Sequence, residues 1–114
     1  MKELYGPEID SKLEELKAVN PFMAEMMTES VSRNIIGRPQ LSLKYREIAT
    51  LSVLISLSDE EQLKTHTHNA LRVGISKEEL LELINHMVLY VGFPKALFAQ
   101  KIMLKEMNIN QDRT

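Results

Sequence analysis

All three histidines of the chain lie between Glu60 and Pro94, at His66, His68 and His86. Imidazole is the side chain whose unperturbed pKa lies near neutral pH, so it can both give and take a proton there. A helical domain does not need histidine in order to fold. Three histidines within one segment therefore indicate a site that transfers protons or binds a ligand.

His66 and His68 are two residues apart, which places them on roughly opposite sides of one helix. Helical spacing joins His66 to Leu63 and Ala70 on the predicted core side, so His66 is expected to point inward. His68 is then expected to face solvent or a subunit contact. An inward histidine is more often a hydrogen-bonded core residue than a catalytic one, and both interpretations stay open at this point.

Arg46 and Glu47 are charged residues within the most hydrophobic stretch of the chain, residues 43–57. A glutamate is almost never fully buried without a partner. In one interpretation both residues lie on a narrow exposed edge, or Glu47 bonds a neighbouring helix. In the other, Glu47 faces a cavity between helices, where burial would suit it for proton transfer. The periodicity alone favours the first interpretation.

His86 and Tyr90 are four residues apart and therefore share one face of a helix. They form either an amphipathic helix contact or a pair of hydrogen-bond donors at the mouth of a pocket. A second histidine at this spacing would indicate a metal site, but Tyr90 occupies that position and there is no HExxH motif. The chain has no cysteine, which excludes thiolate metal sites, disulfides and thiol catalysis. We expect no metal site here.

The bulk composition predicts a single domain, residues 1–114, that does not bind nucleic acid. The net charge is −2, from 14 basic and 16 acidic residues, and no run of Lys or Arg offers a surface for phosphates. The N-terminus is too polar for a signal peptide, and no apolar run reaches the roughly 20 residues of a membrane span. The expected location is the cytoplasm, with no membrane partner.

Six helical segments must position these residues, and no segment shows the alternation of a strand. Asp10 or Ser11 is a candidate N-cap, Ser58-Asp59-Glu60-Glu61 and Ser76-Lys77-Glu78-Glu79 are candidate capping sequences, and Gly74 is a candidate helix stop. The hydrophobic helix that follows Ser42 is expected to lie at the centre of the fold, because most of its circumference is apolar. The segments run from about Asp10 to Ala18, Pro21 to Val31, Leu43 to Leu57, Asp59 to Val73, Lys77 to Val91 and Pro94 to Met107.

Three segments in order resemble one family, the carboxymuconolactone decarboxylases. The run GRPQLSLKYRE, residues 37–47, is similar to the family's RP-x-L-x-x-K-x-RE segment. The run HTHNALRVGISKEEL, residues 66–80, fits its H-x-x-x-AL-x-x-G pattern, and HMVLYVGFPKA, residues 86–96, fits as well. Together these segments extend over about half of the chain. The resemblance implies an all-α, alkylhydroperoxidase D-like fold with a central antiparallel helical hairpin, assembled into homo-oligomers, either trimers or hexamers.

The resemblance also implies an activity, that of a cofactor-free lyase. The family's named reaction removes CO2 from a carboxylated muconolactone and gives an enol-lactone in the breakdown of aromatic compounds. The related alkylhydroperoxidase D-type proteins carry a C-x-x-C motif where this chain has DEEQ, residues 59–62, so dithiol peroxide reduction is not available. Their proton-relay Glu and His fall on Glu47 and His66. Decarboxylases of the family often have an aromatic residue just before the RP pair, where this chain has Ile35-Ile36-Gly37, which leaves the substrate open.

The resulting hypothesis makes His66 the acid/base and lets Glu47 orient it or share its proton. His86 and Tyr90 would hold the substrate carboxylate or the lactone oxygen, and Arg46 would pair a carboxylate or a subunit contact. Two alternatives remain, a non-catalytic oligomeric module that binds a ligand or a protein, and another cofactor-free proton-transfer or lactone reaction. An enzyme should bring Glu47, His66 and a polar group of the His86–Tyr90 face to one water-accessible cavity.

Overall fold

The structure, a computed structural model, describes residues 5–6 and 9–112, without the side chains of residues 30–33 and 109–112. Within these ranges the chain is helical and has no strand, so the all-α prediction is confirmed. The helices are α1 (Ile9–Val19), α2 (Pro21–Glu25) with its continuation as a π-helix (Met26–Ile36), α3 (Leu43–Leu57), α4 (Glu60–Arg72), α5 (Lys77–Val91) and α6 (Phe93–Asp112). No helix among the described residues is both long enough and apolar enough to cross a membrane.

The capping sequences predicted before α4 and α5 are confirmed, and α3 is capped as well. Ser42, Asp59 and Ser76 each accept a hydrogen bond from the backbone N–H three residues later, at 3.2, 3.1 and 3.0 Å. At α5 the Glu79 carboxylate also accepts from the Ser76 backbone N–H, at 2.9 Å, which completes a capping box. This backbone hydrogen bond, and then the one with the Ser76 side chain, hold the pKa of Glu79 below its ordinary value.

Two helical segments differ from the prediction. The chain beyond Glu25 continues as a π-helix to Ile36, because apolar spacing over so few turns does not separate a wide helix from an α-helix. The last helix was expected to end near Met107 but continues to Asp112. Neither Gly nor Pro follows Met107, so nothing in the local sequence stops that helix.

The core lies among α3, α4, α5 and α6. Helix α6 packs on both α4 and α5, and α3 packs across α4 and α5. Large buried side chains with no exposed surface fill the centre: Leu51, Ile55, Leu63, Leu80, Met103 and Met107. The central position predicted for α3 holds for only one of its sides, because Val53 and Leu57 remain 57% and 68% exposed.

Helices α1 and α2 form a separate layer at one side of this core. They pack mainly on each other, and their buried side chains include Ile9 and Ala24. Asn20 caps α2 by accepting from the Met23 backbone N–H at 3.2 Å, and Pro21 occupies the first helical position, where an N–H has no partner to lose. A space remains between α1 of this layer and α4 of the core. It lies beside the candidate site.

Candidate active site

The two predicted proton-transfer residues meet between α3 and α4. Nδ1 of His66 lies 2.9 Å from one carboxylate oxygen of Glu47 and 3.1 Å from the other. Both residues are buried, with 2% of Glu47 and 8% of His66 exposed. A carboxylate can only accept, so Nδ1 donates the proton and the carboxylate fixes the tautomer of the ring. In the neutral ring, Nε2 then carries the lone pair that can take a proton.

Helical register explains why these side chains point inward. His66 lies on the side of α4 that buries Leu63 and Ala70, so the predicted inward orientation is confirmed. Glu47 lies one turn before the buried Leu51 on α3. The exposed-edge interpretation favoured by periodicity is therefore wrong for Glu47, which bonds the neighbouring helix instead. A charged group tolerates this depth because its partner replaces the hydrogen bonds lost from water.

Tyr5 contacts this pair and was not found by sequence reasoning. The edge of its ring faces His66 with the ring centroids 5.9 Å apart and the planes at 74°. Burial, and then the negative charge of Glu47, raise the pKa of the Tyr5 phenol above its ordinary value. Its hydroxyl therefore stays protonated, and remains a donor, throughout the neutral range. Only the tertiary packing of residue 5 against α4 reveals this contact.

A cavity of about 560 Å³ opens beside Tyr5, between α1 and α4, and we call it the α1–α4 cavity. Tyr5 lines it and also contacts His66, whereas Glu47 and His66 themselves are not part of the lining. Glu47 and His66 were expected to line one cavity together. Instead, Tyr5 connects the pair to the cavity. Among the described residues, the lining includes Tyr5, Ile9, Lys12, Leu13, Leu16, Met27, Gln62, Thr65, His68, Asn69 and Arg72.

This cavity is not lined by His86, Tyr90 or Arg46. His86 and Tyr90 share one face of α5, with ring centroids 5.3 Å apart, and both side chains are exposed. Arg46 donates from Nε to the Leu41 carbonyl at 3.0 Å and from Nη2 to the Arg38 carbonyl at 3.3 Å. These bonds tie the start of α3 to the preceding connector. The substrate-binding role of the three residues stays a prediction.

His68 keeps 23% of its side chain exposed, and the alternative of a subunit contact stays a prediction. Its Nε2 lies 2.6 Å from a carboxylate oxygen of Glu106 on α6, and Glu106 is only 8% exposed. The bond to Glu106 was not predicted, because it depends on α6 packing against a side of α4 that the local spacing left unassigned. Helix α4 thus carries two carboxylate–imidazole pairs, one to α3 and one to α6.

Asn69, the next residue on α4, is the second group that sequence reasoning missed. It is 1% exposed, and its Oδ1 accepts from Nη1 of Arg72 at 3.2 Å. Within the described part of the chain, its Nδ2 has no hydrogen-bond partner. Leaving a buried amide donor unpaired costs about 1–3 kcal/mol. Its position in the cavity wall makes it a functional candidate.

Comparison with family models identifies the chain. The model of the carboxymuconolactone decarboxylase family matches residues 21–105, most of the sequence. The chain belongs to the carboxymuconolactone decarboxylase family. The span shared with that family contains Glu47, His66 and all of α3, α4 and α5, but it excludes Tyr5 and α1. A comparison with curated proteins found no match.

The described residues of this carboxymuconolactone decarboxylase family member contain no group of three or more His, Asp or Glu side chains placed to hold a metal ion. The residues that do meet are a carboxylate, an imidazole and a phenol. Such groups hold, accept and donate protons at fixed positions. The chemistry that they support directly is general acid/base catalysis.

The raised pKa of Tyr5 gives a test of its buried position. In an alkaline titration followed by phenolate absorbance, Tyr5→Phe should remove the component that appears at the highest pH. Tyr90→Phe, at an exposed position, should leave that component in place. Because the folded-state pKa is raised, the unfolded chain loses this proton first. The contribution of Tyr5 to stability is therefore present below its unfolded pKa and is lost as the pH rises. A high-pH component that survives in Tyr5→Phe would contradict this assignment.

Proposed function

We propose that the chain is a cofactor-free decarboxylase that acts on a carboxylated lactone or a related cyclic acid. The observation that carries the proposal is the buried Glu47–His66 pair, which joins a proton-exchanging ring to a carboxylate that orients it. Membership of the carboxymuconolactone decarboxylase family supports the same reaction class.

The proposed step breaks the bond between the substrate ring and its carboxylate carbon. CO2 leaves, and the electron pair of that bond delocalises into the lactone carbonyl. His66, which carries protons on both ring nitrogens at this stage, then delivers the Nε2 proton to a carbon of the resulting enolate, and Nε2 regains a proton from water. Glu47 keeps the imidazole in place through Nδ1 and compensates its charge when both nitrogens carry protons.

The developing oxyanion needs a donor that is already in position. Tyr5 contacts His66 and lines the α1–α4 cavity, and its raised pKa keeps its hydroxyl protonated. We assign Tyr5 this donor role. His66 is 8% exposed, so the substrate would approach the ring from the Tyr5 side.

A second candidate function is a non-catalytic binding module of the same fold. Glu47 and His66 bond each other and neither lines the cavity, which is the arrangement expected of a structural pair. A panel of carboxylated γ-lactones, assayed for CO2 release by the folded protein, separates the two candidates. Release that depends on His66 supports the decarboxylase. Binding without release, as seen by a raised melting temperature, supports the module.

We further propose that the chain assembles into a homo-oligomer, a trimer or a hexamer. Support comes from exposed apolar side chains on three core helices: Val53, Leu57, Leu89, Phe93 and Leu97. Such surfaces often mark a contact with another chain.

Light scattering should therefore give a multiple of the 13.1 kDa chain. The variant Leu89→Glu, at a side chain that is 77% exposed, should reduce this mass because it places a charge on the apolar surface. Lys101→Glu, at an exposed position of α6, is the control and should not change the mass. A wild-type protein that is monomeric at every concentration would contradict the proposal.

A further inference from the structure

His68 is the imidazole that reaches the α1–α4 cavity. Its side chain is 23% exposed and lines the cavity. The side chain of His66 is only 10% exposed and does not line it. The proposed decarboxylation therefore uses the histidine behind the cavity wall and leaves the histidine in the wall without a role.

The bond with Glu106 decides which nitrogen of His68 can act as a base. Nε2 lies 2.6 Å from a carboxylate oxygen, and a carboxylate only accepts, so Nε2 donates. In the neutral ring, Nδ1 then carries the lone pair. Glu106 is only 8% exposed, so its carboxylate holds the ring in place and compensates the charge that forms when Nδ1 takes a proton. A carboxylate–imidazole pair arranged in this way is suited to general base catalysis.

The wall beside His68 indicates the kind of molecule on which this base acts. Asn69, the next residue of α4, is 1% exposed, and its Nδ2 has no hydrogen-bond partner among the described residues. A buried donor is expected to meet an acceptor, and a carbonyl oxygen is one. Across the cavity, Ile9 and Leu13 of α1 contribute apolar surface, and the volume of about 560 Å³ suits a small molecule. A base, a donor and an apolar wall together fit an uncharged cyclic ketone or lactone.

We propose that His68 and Glu106 form a second acid/base site, which enolises an uncharged ketone or lactone in the α1–α4 cavity. Nδ1 of His68 takes a proton from the carbon beside the carbonyl, and the electron pair of that C–H bond becomes the double bond of the enolate. The enolate oxygen accepts from Nδ2 of Asn69, and the rim side chains shift slightly because Nδ2 lies just beneath the surface. The imidazolium, after exchange with solvent, returns a proton to the same carbon. No CO2 leaves and His66 takes no part, so the site does not rest on the proposed decarboxylation.

The compound 2-tetralone is a suitable probe, because it is uncharged and the CH2 between its carbonyl and its aromatic ring is acidified by both. In D2O the wild type should replace the hydrogens of this CH2 with deuterium, which is followed by the loss of their proton NMR signal. The rate should exceed that produced by free imidazole at the same concentration. His68→Gln should lower kcat for this exchange by roughly 10²-fold or more, since it removes the base.

The role of Glu106 as a positioning residue has its own variant. Glu106→Gln keeps the size of the side chain but removes the charge that compensates the imidazolium. It should lower kcat and leave KM close to that of the wild type, a split that a merely structural defect would not give. The matched control is Glu82→Gln, at an exposed carboxylate bonded to Asn85, which should exchange like the wild type.

A binding measurement on the wild type does not depend on the folding of any variant in the cavity wall. Titration with 2-tetralone should shift the ring C–H resonances of His68, because its ring lines the cavity. The resonances of His86, which is exposed on α5 and does not line the cavity, should stay in place. A shift of His86 without a shift of His68 would contradict the proposed position of the ligand.

The exchange assay also separates this site from the proposed decarboxylation. His66→Gln should lose CO2 release from lactone acids and keep the exchange, because His66 does not line the cavity. Exchange without any CO2 release would remove the decarboxylase proposal and leave the second site standing. Equal exchange by the wild type and His68→Gln, exchange that is lost in His66→Gln but kept in His68→Gln, or a folded wild type no faster than free imidazole would each overturn the proposal.

Discussion

The variant His66→Gln should release CO2 from a carboxylated lactone roughly 10²–10⁴-fold more slowly than the wild type, the usual contribution of general acid/base catalysis. Glutamine has a similar size and an amide donor that can still reach Glu47, but it cannot exchange a proton at neutral pH. The loss should therefore fall mainly on kcat. Initial rates of CO2 release at saturating substrate measure it directly.

Folding must be verified independently in this variant, because His66 is buried against the core. Near-ultraviolet circular dichroism, the melting temperature and the oligomer mass should stay close to those of the wild type. The split between kcat and KM adds a readout that a merely structural role would not move, since loss of the proton donor should lower kcat and leave KM close to that of the wild type. Unchanged CO2 release by a folded His66→Gln would remove this residue from the mechanism.

The variant Glu47→Leu should lower the free energy of unfolding by about 3 kcal/mol. This value is the upper end of the cost of an unpaired buried donor and the lower end of the cost of a broken buried ion pair. The loss arises because Nδ1 of His66 keeps its proton but has no acceptor at that depth. The double variant Glu47→Leu/His66→Leu removes both polar partners and should be destabilised by less than the sum of the two single variants. Urea unfolding of all four proteins at one pH gives the coupling energy.

An exposed carboxylate is the matched control for this cycle. Glu82→Leu removes a side chain that bonds Asn85 at the surface and should change the unfolding free energy by no more than about 0.5 kcal/mol. Strict additivity of the Glu47 and His66 variants would show that the pair contributes no coupling. It would also weaken the argument that Glu47 positions the ring for catalysis.

The sequence predicts the helices well where the signals are local. Each of three helices is capped by the residue just before it: Ser42, Asp59 or Ser76. The side-chain oxygen of that residue accepts from the backbone N–H three residues later, so the cap depends on neighbouring residues only. The π-helix after Glu25 and the extension of α6 beyond Met107 were not predicted, since no local residue type specifies them. The exposure of Val53 and Leu57 depends on which other helices, or which other chains, reach that side of α3.

The candidate site likewise contains some residues that the sequence predicts and others that it does not. The inward orientation of His66 follows from its register with Leu63, and the family resemblance pairs it with Glu47. Tyr5, Glu106 and the unpaired amide of Asn69 carry no such signal. Each lies at its position because segments far apart in the chain pack together, and a single sequence contains no measure of that packing.

Three neighbouring residues of α4 are attached in different directions. His66 is held by Glu47 on α3, His68 is held by Glu106 on α6, and Asn69 lies in the cavity wall. A rotation of α4 about its axis would stretch both carboxylate–imidazole bonds at once. The two bonds, to α3 and to α6, therefore hold α4 in one orientation about its axis and fix the position of Asn69 in the cavity wall.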